Sequence, residues 1–174
     1  MSELLRFEEI ARSMRWGFLS DNIVNIIDKH GNGSNKLKKN EKKIVKGAIE
    51  FFEMVECGID SVGKSDFSGE IEKIVECLIV YNYTSNVLMS VENEYEDFSK
   101  DIVKKKVEEL SAICRKLYND EKQNEKEIEA LREFFLFLGK FTFKETNDIL
   151  ENQPKTEITS WGSINSLKSV LQKI

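Results

Sequence analysis

Between Gly69 and Gly139 the chain contains neither glycine nor proline, and its single proline is Pro154. Glycine and proline are the strongest breakers of regular backbone, so a span this long without them permits long uninterrupted elements. Within it apolar residues recur at intervals of three and four among Glu and Lys. That is the period of helices with a buried stripe, not the alternation of strands. The fold class expected is all-α: a single-domain bundle of about six to eight helices built around a long helical hairpin, at about residues 68–118.

At 174 residues the chain can bury a core without disulfide or metal staples. Its formal net charge of -5 gives no global attraction to nucleic acid or anionic lipid, so any such contact must come from a local patch. Cys57, Cys77 and Cys114 are odd in number, widely spaced and without a C-x-x-C pair. With no signal-peptide pattern at the start, they point to free thiols in a reducing, cytoplasmic setting. No uninterrupted apolar run approaches the roughly 18 residues of a membrane span, so no membrane partner is expected.

The boundaries follow from caps and breakers. A first helix runs from Ser2 to about Trp16, where Gly17 interrupts it, and a short one follows Ser20 and ends at His30-Gly31. His30, the sole histidine, reads as a cation at a helix C-terminus. The next helix starts between Lys36 and Asn40 and ends at Cys57-Gly58, with Ile44, Val45, Ala48, Ile49, Phe52 and Val55 on its apolar side. The hairpin arms break between Asn82 and Asn93. Asn124-x-x-Glu127 and Thr142-x-x-Glu145 have capping-box form and predict two further helix starts. The domain reading is a helical bundle over 1–151, a linker over 152–162 and a C-terminal amphipathic helix over 163–174, with Ile164, Leu167, Val170 and Leu171 on one side.

Four features carry candidate chemistry. Gly58-Ile59-Asp60-Ser61-Val62-Gly63-Lys64-Ser65 matches G-x-x-x-x-G-K-[ST] and resembles the Walker A loop of P-loop NTPases. The resemblance implies nucleotide binding through Gly58, Gly63, Lys64 and Ser65, with Lys64 on the outer phosphates and Ser65 on magnesium. That chemistry requires a strand before the loop and a helix opening directly from it, whereas the preceding residues have helical period. Glu53-x-x-Glu56 and Glu94-x-x-Asp97 resemble the paired acids with which all-helical NTP pyrophosphohydrolases hold magnesium. A long intervening segment separates the two pairs, and with 31 acids in the chain solvated helix faces explain them as well, so no metal site is expected.

The third feature is a lysine cluster, Lys36, Lys38, Lys39, Lys42, Lys43 and Lys46. Lysines in the first turn of a helix oppose its dipole, which suggests a job such as phosphate or nucleic-acid contact for Lys36, Lys39, Lys43 and Lys46, or pairing with an acidic partner, although a charged solubilising face explains them as well. If the helix already includes Lys36, then Lys36, Lys39 and Lys43 share one face. The fourth is the aromatic run from Phe134 to Phe143, which is apolar nearly all round. It supplies either the central helix or an interface carried by Phe134, Phe137 and Phe141. No catalytic constellation is present, and no cofactor is implied.

The function these features favour is that of a non-enzymatic helical interaction or scaffold protein, a subunit of a larger assembly that binds a protein partner or itself. The alternative is a nucleic-acid or phosphate binder using the lysine cluster. P-loop-like nucleotide binding at Gly58 to Ser65 comes third.

Overall fold

The computed structural model describes residues 3–31, 36–62, 71–91 and 100–151. The described residues form five helices and no strand: α1 (Glu3–His30), α2 (Lys39–Ser61), α3 (Ile71–Val91), α4 (Lys100–Tyr118) and α5 (Glu125–Glu151). The chain is all-α and a helical bundle, as its periodicity requires. The expected linker over 152–162 and helix over 163–174 lie outside the described residues.

Among the described residues helices are fewer than expected because Gly17 and Gly139 lie inside helices and the helix expected over 163–174 lies outside those residues; Gly58 lengthens α2. Gly17 does not interrupt α1. It is buried, and a Cβ built on it would lie 2.8 Å from the ring of Phe143 and 3.0 Å from Thr142 Oγ1 on α5. Gly139 sits inside α5, where a Cβ would meet Ser20 and Asp21 at 3.4 Å. α1 and α5 therefore run antiparallel and pack closely through facing glycines. Gly58 does not end α2 either. It is buried in the last turns of that helix, where a Cβ would stand 2.3 Å from the Cys77 carbonyl of α3. In each case the missing side chain lets two backbones approach, and that contact outweighs the ~1 kcal/mol that glycine costs a helix interior.

The caps divide similarly. Asn124 does cap α5: its Oδ1 accepts from Glu127 N–H at 2.8 Å, and its amide reaches the Glu127 carboxylate at 3.2 Å. Thr142 caps nothing. It lies mid-helix and buried, with its hydroxyl donating to the Leu138 carbonyl at 2.9 Å. Gly31 takes the left-handed conformation expected after His30, with φ 61, and its N–H closes on Ile27.

The expected hairpin is replaced by a different arrangement. α3 and α4 barely touch; α3 packs on α2 and α5, while α4 lies mainly on α2. α4 buries Val103, Val107, Leu110, Cys114 and Leu117 one turn apart, with Ser111 and Ile113 beside them. α2 buries Val45, Ala48, Phe51, Phe52, Val55 and Ile59, wide enough for several neighbours. At the centre Phe51, Phe52, Phe134 and Phe135 cluster with ring centroids 5.2–6.4 Å apart, and Trp16 stands edge-on to Phe51 at 5.0 Å.

Two buried carboxylates fix the helices to one another. Glu76 of α3 accepts from Trp16 Nε1 at 2.9 Å and pairs with Arg12 at 2.7 Å, clamping α3 onto α1. Glu41, in the first turn of α2, accepts from Lys38 N–H at 2.8 Å and contacts His30 Nε2 at 2.7 Å. His30, in the last turn of α1, is thus buried against an acid from the next helix. Those contacts, the amide of Lys38 first, hold the Glu41 carboxyl below its ordinary pKa.

Candidate functional site: the groove between α1, α3 and α5

α3 carries more apolar surface than the bundle covers. Its segment Glu72–Val91 is, by length and composition, apolar enough to cross a membrane, although the sequence has no uninterrupted run of that length. Asn82, Thr84, Ser85 and Asn86 divide its apolar stretch, and only 39% of the segment is buried. Val75 is 40% exposed and Met89 48%. With Leu78, Ile79, Asn82 and Asn86 they follow helical spacing along one side of α3, a stripe about 21 Å long between Val75 and Met89.

Beside this stripe lies a groove of about 610 Å³. One wall is apolar, made by Val75, Leu78 and Ile79 of α3 facing Ile149 of α5. The other lining residues are polar: Glu9, Arg12 and Ser13 of α1, Asn82 and Tyr83 of α3, and Glu145 and Asp148 of α5, with Arg12 the cation among three carboxylates. Ser13 and Tyr83, both buried, join their hydroxyls at 2.9 Å, while the Tyr83 ring stands edge-on to Phe141. Burial holds the Tyr83 phenol well above its usual pKa, so it remains protonated. Burial also raises the Glu145 carboxyl; the Tyr83 and Ser13 hydroxyls oppose that rise, and the charges of Glu9 and Asp148 add to it.

The groove suits an apolar body carrying positive charge. It has the volume of a ligand cleft and an acidic edge, but no activated nucleophile. Ser13 is 1% exposed and already paired with Tyr83. Cys77 and Cys114 offer no alternative, since burial pushes the Cys77 thiol up to about 12 and raises that of Cys114 as well. Among the described residues no group of three or more His, Cys, Asp or Glu is placed to hold a metal.

The sites expected from sequence are scattered. Gly58 to Ser61 belong to α2, so the element before Gly63 is a helix where a phosphate loop needs a strand. Gly63, Lys64 and Ser65 lie outside the described residues. Glu53 reaches Arg115 of α4 at 3.4 Å, and Glu94 and Asp97 lie outside the described residues. Lys36 precedes α2, so the shared face expected for Lys36, Lys39 and Lys43 does not form; Lys39, Lys43 and Lys46 instead follow one exposed side of α2. Lys42 turns to Asp120, 3.0 Å away, whose carboxylate also accepts from Leu37 N–H at 3.0 Å.

The aromatic run divides between core and edge. Phe134 is 2% exposed and spent in the central cluster, so it presents no surface to a partner. Phe137 and Phe141 are half-buried; Lys140 lies over the Phe137 ring, and Phe141 backs Tyr83.

Sequence reasoning missed Ser13, Tyr83, Glu145 and the open side of α3. Glu145 was masked by its position in an apparent capping box. The available signal was a set of polar groups in phase with neighbouring apolar stripes, as Ser13 lies between Ile10 and Trp16. Compared with family models, with characterised proteins and with solved structures, the chain matches none.

Proposed function

We propose that this protein is a non-enzymatic helical interaction protein, a subunit that docks a helix of a protein partner in the groove between α1, α3 and α5. The observation that carries this reading is the partly exposed apolar wall of Val75, Leu78 and Ile79 on α3 beside the carboxylates of Glu9, Glu145 and Asp148. Amphipathic helices are recognised by laying anchors spaced at i, i+3, i+4 and i+7 into such a groove. Glu9, Glu145 and Asp148 favour a partner helix with lysine or arginine beside its apolar anchors. Val75 and Met89 are exposed, so Val75→Asp with Met89→Asp should leave the bundle folded. Association measured by sedimentation and by capture on the full chain is expected to disappear in that double variant. An unchanged set of associations would refute the docking surface.

Phosphate or nucleic-acid binding is the second reading, favoured by the exposed row Lys39, Lys43 and Lys46, none of which makes an ion pair with a described residue. Neutralising these lysines should lower the salt dependence of binding by about one unit of slope for each phosphate no longer neutralised. Absence of nucleic-acid binding at low salt removes this reading.

A further inference from the structure

We propose that the groove between α1, α3 and α5 is occupied by the chain's own residues 163–174, so that the protein carries an internal competitor for its docking site. The inference rests on the docking reading above and names a resident occupant. Two observations support the choice: charge and reach.

The charge matches the groove. Residues 163–174 include Lys168 and Lys173 and no acid, while Glu9, Glu145 and Asp148 line the groove. Ile164, Leu167, Val170, Leu171 and Ile174 are spaced for the apolar side of a helix, the complement of Val75, Leu78, Ile79 and Ile149. A lysine beside such anchors meets the carboxylates as its apolar neighbours enter the cleft.

The tether also reaches. α5 ends at Glu151, within one turn of Asp148 and Ile149, which line the groove. Residues 152–162 span at most about 36 Å when extended, ample to turn the following segment back along α3. A tether this short holds a segment near its site at an effective concentration of about millimolar. Even weak intrinsic affinity then fills the groove, and a partner must outcompete it.

Hydrogen exchange on the full chain tests this directly. The amides of 163–174 are expected to be protected at least tenfold over an unstructured peptide, to the same extent at every protein concentration. Val75→Asp and, separately, Asp148→Lys should each reduce that protection severalfold. The Asp148→Lys loss should be partly restored by adding Lys168→Glu and Lys173→Glu, because the reversed charges again attract. Circular dichroism should show each variant still folded, because both altered groove positions are exposed.

Three results would overturn the proposal. One is an unprotected segment, and another is protection indifferent to Val75→Asp and Asp148→Lys. The third is protection that grows with concentration alongside a dimeric mass, which assigns the groove to a second copy. An unprotected segment together with Val75-dependent association would sink this inference alone. A protected, Val75-dependent segment without any partner would sink the docking of a partner instead.

Discussion

The two ends of α5 are buried to different degrees, and the difference shows where a bundle stops spending its apolar surface on itself. In its first half Leu131, Phe134, Phe135 and Leu138 are at most 2% exposed and interlock with Phe51 and Phe52. In its second half the helix lies against α1 through Phe7, Ile10 and Ile149, a separate smaller cluster, and opens on α3 across the Ser13–Tyr83 pair and Glu145. Rings that fill space draw helices together, whereas polar groups that must keep partners hold them apart. The closed half supplies stability, and the open half leaves α3 with a side for something else to cover.

The largest expected effect tests that division. Phe135→Ala removes a fully buried ring from the closed half and should cost about 3–5 kcal/mol in urea unfolding. Val75→Ala removes apolar volume from the open half and should stay within about 0.5 kcal/mol of the parent. Equal losses at the two positions would show that the groove belongs to the core.

Glycine substitutions sharpen the same contrast at the next level. At Gly58 a Cβ meets the Cys77 carbonyl at 2.3 Å, backbone that cannot rotate away, so Gly58→Ala should destabilise by about 1–3 kcal/mol as α2 and α3 are forced apart. At Gly47 the nearest atom is the Leu19 Cδ1 at 3.4 Å, a methyl that can yield. Gly47→Ala should therefore stabilise by about 0.5–1 kcal/mol through helix propensity. Thermal or urea midpoints of the two variants moving in the same direction would contradict this account of the crossing.

These glycines also mark the limit of what the residues disclose on their own. Helical class, the Asn124 cap and the left-handed Gly31 were legible because each depends on neighbours within one turn. Gly17, Gly58 and Gly139 were not, because a glycine that breaks a helix and one that admits a second helix are the same letter. The distinction lies in Phe143, Cys77 and Ser20, distant in sequence. The hairpin failed for a related reason: adjacent amphipathic helices need not pair when one of them, α3, has apolar surface on several sides. Of the site, the apolar abundance of α3 was legible in Ile74, Leu78 and Tyr81. Its uncovered side was not, since that depends on where α1 and α5 end up. The Glu41–His30 contact likewise joins two helices across a loop, beyond the reach of local spacing.

The smallest effect, and the one that reads each end of the bundle separately, is the response to pH. Glu41 and Glu145 both depart from the ordinary carboxyl value of 4.5, in opposite directions. Glu41 is lowered in the folded protein, so below 4.5 the unfolded chain binds the proton first. Its contribution is present above 4.5 and is lost as pH falls through the depressed value. Glu145 is raised, so just above 4.5 the folded protein holds the extra proton, and stability declines as pH rises through that window. Glu41→Gln should consequently lower stability at neutral pH and converge on the parent in acid. Glu145→Gln retains a side chain able to hydrogen-bond Tyr83 and Ser13 while removing the charge that burial disfavours. That variant should be at least as stable as the parent at neutral pH and should lose the decline above 4.5. Urea midpoints from acid to neutral pH decide both cases. If Glu145→Gln shows the same pH profile as the parent, the carboxyl is solvated and the groove is more open than its lining implies.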